Sequence, residues 1–198
     1  MNICVIRHGE TDWNAAGRIQ GREDIPLNEN GRKQAEQCGL ALKNQGEWDV
    51  VVTSPLLRAR QTAEIIAELL NIAEIIVDDD LIEMDYGMAS GKTREECAVL
   101  FPDGEWDVVE SREVLRDRVY GAVMRNADKF SPKNILLVSH GGAINALLAK
   151  MTDGEIGSGK TRLKNGCMNM FTYEAGRLEM VFYNKAWDEV QDSSLCSE

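Results

Sequence analysis

Four short apolar runs punctuate the chain, at residues 3–6 (ICVI), 49–53 (DVVVT), 75–77 (IIV) and 135–138 (ILLV). Their near-continuous apolar character predicts strands buried on both faces, the pattern of a parallel sheet covered by helices. Between them apolar residues recur at three- to four-residue spacing and predict helices. Asn28, with Leu27 in the staple position, starts one that carries Ala35, Cys38, Leu40 and Leu42 towards a C-cap at Asn44-Gln45-Gly46. Ser54-Pro55 predicts a second over 55–70, with serine as N-cap and Leu56, Ala59, Ala63, Ile66 and Leu70 inward. The capping box Thr93-x-x-Glu96 opens a short helix to about Leu100. Helices over 111–130 and 143–151 complete the set, the former burying Val114, Leu115, Val119, Ala122, Val123 and Ala127.

The remaining segments are polar. Residues 10–26 carry Trp13, Gly17, Gly21 and Pro26 and read as a long loop, a kind of segment that is often functional. Asp78 to Asp80 reads as a solvated acidic run, and 152–164 as a loop rich in glycine and lysine. The runs 167–173 and 178–183, joined across Glu174-Ala175-Gly176-Arg177, predict a hairpin that closes the sheet. The tail from Asp188 is polar and reads as loose. With no repeat and no linker, the expectation is one three-layer α/β/α domain over 1–198 with a mostly parallel central sheet.

Composition narrows the function. The net charge is −11, from 22 basic and 33 acidic residues. That balance excludes an electrostatic grip on nucleic acid or on an anionic membrane surface. Positive charge converging on one spot would therefore be meaningful, and Arg7, Arg18, Arg22 and Arg58 are the candidates. Five scattered cysteines and two histidines show no metal-ligand spacing, so no metal site is expected. No signal-like segment and no membrane-length apolar run is present, and the cysteine usage points to a reduced, cytoplasmic protein.

Both histidines occupy the same local setting. ICVI leads into Arg7-His8-Gly9-Glu10-Thr11, and ILLV leads into Ser139-His140-Gly141-Gly142. In open α/β sheets, ligands sit in the crevice beyond the carboxyl ends of the strands. Arg58 falls in the first turn of a strand-fed helix, where a cation is unfavourable unless an anion offsets it. Two arginines and two histidines can surround a tetrahedral dianion, and the glycines after each histidine would let backbone N–H groups approach it. Glu83, in a neighbouring loop, could supply a proton to a leaving oxygen. This combination indicates phosphate chemistry.

Four stretches, in order, resemble the histidine phosphatase superfamily, and more narrowly its phosphoglycerate-mutase-like branch. They are Arg7-His8-Gly9-Glu10-Thr11, the helix start from Ser54 to Ala63 (SPLLRARQTA), Glu83 in LIEMDYG, and Ser139-His140-Gly141-Gly142. The resemblance implies His8 as nucleophile, with Arg7, Arg58 and His140 forming a phosphate pocket. It implies Glu83 as proton donor, Asn14 and Gly141 as further contacts to substrate, and neither metal nor cofactor. Trp13 and Trp106 fit either the mouth of such a site or ordinary packing.

Three functions remain open at this point: a phosphatase for small phosphorylated metabolites, a phosphoglycerate mutase with the same catalytic residues, and a catalytically dead ligand-binding member. The last should have lost a histidine or arginine, and none is lost. The resemblance implies that mutases of this kind are longer chains with extra segments closing the site. Segment 101–113 carries five acids and one arginine, and as a cover it would repel a bisphosphate. The phosphatase is therefore the expectation.

Overall fold

The computed structural model describes residues 1–103 and 109–191. Among these, six strands form one sheet in the order β3-β2-β4-β1-β5-β6. They are β1 (Asn2–Arg7), β2 (Val50–Thr53), β3 (Ile75–Val77), β4 (Ile135–Ser139), β5 (Met168–Glu174) and β6 (Arg177–Lys185). The first four are mutually parallel; β5 runs antiparallel to β1 and pairs with β6 as the expected hairpin. Its two-residue turn places Ala175 at φ 49° and Gly176 at φ 80°, the left-handed pair that matches strand twist.

Seven helices are described: α1 (Asp12–Ala15), α2 (Glu29–Lys43), α3 (Leu57–Leu70), α4 (Arg94–Leu100), α5 (Arg112–Phe130), α6 (Gly141–Met151) and α7 (Trp187–Gln191). The strand runs are apolar throughout because their alternate residues enter two different cores. Ile3, Val5, Val50, Val52, Ile135 and Leu137 pack against α5 and α6. Cys4, Ile6, Val51, Leu136 and Val138 pack against α2, α3 and α7. The fold is thus a three-layer α/β/α domain with a mostly parallel sheet. Neighbouring strands β1 and β4 send their following helices, α2 and α6, to opposite faces. A crevice opens at such a divergence, beyond the strand ends.

Several local expectations change. The 10–26 loop contains a helical turn, α1, closed by a capping box between Thr11 and Asn14. Helix α3 begins at Leu57, and Ser54 does not cap it; Asp24 Oδ1, from the preceding long loop, accepts the Leu57 N–H at 2.5 Å instead. Helix α6 begins two residues earlier than expected, directly after His140. Leu40 of α2 and Val114 of α5, expected inward, are exposed, and on α2 it is Gly39 and Ala41, either side of Leu40, that are buried. Asp78 to Asp80 is not a freely solvated run. Arg125 pairs with Asp78 and Asp80, and Asn126 donates to Asp78, tying the loop after β3 to α5. The expected loose tail starts as α7, with Val190 buried; 192–198 lie outside the described residues.

Candidate active site

His8 and His140 leave β1 and β4 side by side, 2% and 0% exposed, with ring centroids 5.2 Å apart. His8 Nδ1 lies 2.6 Å from the Gly9 carbonyl, which can only accept, so this nitrogen carries the proton. Nε2 of His8 is thereby left with its lone pair. Burial, then the charges of Arg58 and Arg7, push the His8 imidazole well below its ordinary pKa. His140 is depressed in the same way, by burial and then by Arg58 and His8. Both rings are therefore neutral at neutral pH.

The arginines are held by carbonyls. Arg58, 1% exposed, donates from Nη1 to Glu23 O at 2.6 Å and from Nη2 to Gly21 O at 2.8 Å. Burial draws its pKa down to about 10, and Arg7 repels it further. Arg7 Nη1 donates to Leu163 O at 2.5 Å, and burial lowers its pKa too. Carbonyl dipoles orient a guanidinium without neutralising it, so both charges stay available to an anion. Six side-chain polar atoms among the described residues are buried without a hydrogen-bond partner, and three of them are Arg7 Nε, Arg58 Nε and His140 Nδ1. Such atoms are rare because each costs about 1–3 kcal/mol in lost hydrogen bonding. Half of them at one spot mark a place built to receive an acceptor.

The expectation that both glycine-following N–H groups reach the anion needs correcting. Gly9 N–H donates to Thr62 Oγ1 at 3.1 Å, and Gly142 and Ala143 N–H donate to Glu83 at 2.9 Å each. Ile144 N–H is taken by the His140 carbonyl. In the first turn of α6 only Gly141 keeps its N–H unengaged. Gly9 serves packing instead: a Cβ there would collide with the Gly31 carbonyl of α2.

Glu83 lies across the crevice, 7% exposed, on the N-terminus of α6. Both of its oxygens accept, one from Gly142 N–H and the other from Ala143 N–H and Met84 N–H. The positive end of the helix dipole suits a carboxylate there. Asn14, in α1, offers its amide to the same region. Its Oδ1 accepts from Thr11 N–H, Thr11 Oγ1 and Asn165 Nδ2, each at 3.1 Å, so Nδ2 is turned outward as a free donor.

Of the four candidate arginines only Arg7 and Arg58 join the histidines. Arg18 pairs with Glu96 and the Gly91 carbonyl away from them, and Arg22 turns beneath the Glu83 loop. Trp13 packs near Gly91, while Trp106, with the rest of 104–108 in the acidic segment, lies outside the described residues. Two site residues escaped the sequence reading. Ser54 Oγ, read as a helix cap, lies 2.6 Å from His140 Nε2. Asn165 donates to Asn14 and to the His8 carbonyl from a loop 157 residues downstream of His8, a distance no local pattern signals. No group of three or more histidine, cysteine, aspartate or glutamate side chains suited to a metal ion occurs among the described residues.

Comparison with known proteins agrees with this geometry. "Uncharacterized phosphatase PhoE" of Bacillus subtilis (strain 168) is 41% identical over 182 residues, 92% of this chain and 93% of that one. "Probable phosphoglycerate mutase GpmB" of Cronobacter sakazakii is 35% identical over 160 residues, 75% of this chain and 74% of that one. The crystal structure of an Entamoeba histolytica phosphoserine phosphatase with 3-phosphoglyceric acid superposes with a TM-score of 0.80 at 28% identity, covering 93% of this chain and 97% of that one. The model of the histidine phosphatase superfamily (branch 1) matches residues 3–186. The chain belongs to the histidine phosphatase superfamily.

Proposed function

We propose that the protein is a phosphatase that hydrolyses small phosphomonoesters through a phosphohistidine on His8. The observation that carries this reading is the trio of buried, unpartnered nitrogens on Arg7, Arg58 and His140 beside a neutral His8 whose Nδ1–H is committed to Gly9. The phosphoryl group sits among them, with Asn14 Nδ2 and the Gly141 N–H as further donors. Glu83 enters the reaction protonated; His8 Nε2 attacks phosphorus in line while the ester oxygen departs opposite, taking that proton and leaving Glu83 as the carboxylate that the N–H groups of Met84, Gly142 and Ala143 hold. The charge on the equatorial oxygens is held by the two guanidiniums and His140. Glu83 then removes a proton from water, which breaks the P–N bond and releases inorganic phosphate and neutral His8. Positive charge comes from arginine, so the reaction proceeds with a chelator present. Four described cysteines, all buried and free, support a reducing, cytoplasmic setting.

A mutase would use the same groups, and relatives carry both names. The two readings part at the phosphoenzyme, which a mutase must shield and a phosphatase exposes to water. The test incubates purified protein with EDTA and a panel of phosphomonoesters, phosphoserine and the phosphoglycerates included, without any bisphosphate. Steady phosphate release and an acid-labile phosphate trapped on His8 are expected. Interconversion of 2- and 3-phosphoglycerate faster than phosphate release would replace the hydrolase with the mutase.

A further inference from the structure

The loop that presents Glu83 is held by two arginines, and one buried acid holds both arginines. Arg118 of α5 donates from Nη1 to the carbonyls of Asp80, at 2.7 Å, and Ile82, at 3.0 Å. Its Nε and Nη2 donate in parallel to the two oxygens of Glu110, at 2.7 and 2.8 Å. Arg22, from the loop after α1, places Nη2 3.4 Å from Glu110 Oε2, while its Nε donates to the Glu83 carbonyl at 3.3 Å. Glu110 itself is 7% exposed. Three backbone carbonyls, at and just before Glu83, are thus fixed by guanidiniums whose mutual orientation depends on one carboxylate.

A fork-to-fork pair of this kind fixes direction as well as distance, because both guanidinium and carboxylate are planar. Without Glu110 the two cations would lose the counterion they share: Arg118 would keep only its two carbonyls, and Arg22 the Glu83 carbonyl and the longer pair with Asp85 at 3.9 Å. The Glu83 carboxylate, which must lie on the N–H groups of Gly142 and Ala143, would lose its backing.

We propose that Glu110 is the positioning residue of the proton donor: through Arg118 and Arg22 it holds the Glu83 loop at the distance from His8 that protonation of the leaving oxygen requires. This rests on the reading of Glu83 given above. Glu110 touches neither the histidines nor the phosphate pocket, so its effect should be confined to the proton.

The experiment compares Glu110→Gln with Glu83→Gln on an aryl phosphate with a good leaving group and on alkyl phosphates with poor ones. Glu110→Gln should lower kcat on alkyl phosphates by roughly 10- to 100-fold, the usual scale for a supporting residue. The aryl phosphate should lose less than about threefold, because its leaving group needs little help from a proton. The inhibition constant of inorganic phosphate should stay within about twofold. In a Glu83→Gln background Glu110→Gln should add nothing, since there is no proton left to position. Arg118→Lys, which keeps the charge but not the fork, should reproduce the leaving-group signature if Glu110→Gln fails to fold. Equal losses on both substrate types, or losses that persist without Glu83, would reduce Glu110 to a structural part. If Glu83→Gln itself shows no leaving-group dependence, the reading of Glu83 fails first and the positioning role falls with it.

Discussion

On one side of the crevice, His8 and His140 stand at the ends of adjacent parallel strands, one residue beyond the last ladder pair of Arg7 and Ser139. On the other side, Glu83 stands in a loop after the three-residue edge strand β3, attached by ion pairs and by two N–H groups of α6. The first wall is positioned by the sheet itself, with side chains locked by neighbouring carbonyls and hydroxyls. The second is positioned by long polar side chains reaching from α5 and the loop after α1. In the proposed reaction phosphorus is met in line, and a wall of strand ends supplies the rigidity this needs. The proposed proton transfer covers a short reach, and a loop held by side chains can be displaced without disturbing the strand ends.

Breaking the first wall has the largest effect. On the proposed mechanism His8→Ala removes the nucleophile, and among the described residues no other group stands ready to replace it, since His140 Nε2 is engaged with Ser54. Turnover should fall by at least about 10⁴-fold, as for other enzymes that lose their nucleophile. The variant should stay folded, as thermal melting would check, because His8 stands one residue beyond the last ladder pair of β1 and its removal leaves the strand pairing in place. Residual activity above a trace in purified protein would end the covalent mechanism.

The second wall can be displaced while the first stays intact. A Cβ on Gly142 would lie 2.5 Å from Glu83 Oε1 and 2.7 Å from Tyr86 Oη, whereas one on Gly141 would lie no nearer than 3.3 Å to Arg7 Nε. Gly142→Ala should therefore push Glu83 off its seat and cost roughly 10²-fold in kcat on alkyl phosphates, the scale of a misplacement of about 1 Å. Binding of inorganic phosphate should barely move. If phosphate binding weakened as much as turnover, the two walls would not be separable.

These same differences explain what could be read from the chain. The first wall was legible because a strand run, a histidine and a glycine are local features repeated twice, and because Arg58 sits where a helix start should repel it. The reading of Ser54 went wrong for a related reason. Ser-Pro is a good helix start in isolation, but the hydroxyl has a stronger claim on it from a histidine 86 residues away, and Asp24 takes over the cap. Glu110 and Arg118 were invisible as a pair; the acid lay in a segment read only for its charge. Asp78 was misread likewise, since its partners, Arg125 and Asn126, lie 47 and 48 residues downstream on α5.

Ser54→Ala tests the inner support of the first wall with a smaller change. Ser54 Oγ already accepts the Leu56 N–H, at 3.3 Å, so its own proton is free for His140 Nε2. That arrangement puts the ring proton on Nδ1, the unpartnered nitrogen. Losing the hydroxyl should lower kcat about tenfold and weaken phosphate binding by a similar factor, in line with the removal of a supporting hydrogen bond. A weaker effect on binding than on turnover would place His140 in the transition state alone.

The smallest expected effect concerns stability and pH, and it measures how well the first wall is sealed. Both imidazoles are depressed well below 6.5 in the folded protein by burial and by the neighbouring arginines, but titrate normally once unfolded. Between about pH 6.5 and the lower folded values, the unfolded chain binds more protons than the folded one. Stability therefore rises with pH through that window and is flat above it as far as these two groups are concerned. Each histidine should contribute up to about 1.4 kcal/mol per pH unit below 6.5. Carboxylates add their own acid dependence, so the measurement is a difference: urea unfolding of the wild type, His8→Gln and His140→Gln at pH 7.5 and 5.5. Each substitution should reduce the loss on acidification. Saturating inorganic phosphate should reduce it further in the wild type, because a dianion between the rings favours their charged forms. Equal losses in all three proteins would mean that the two imidazoles titrate as if exposed, and that the wall of strand ends is open to water.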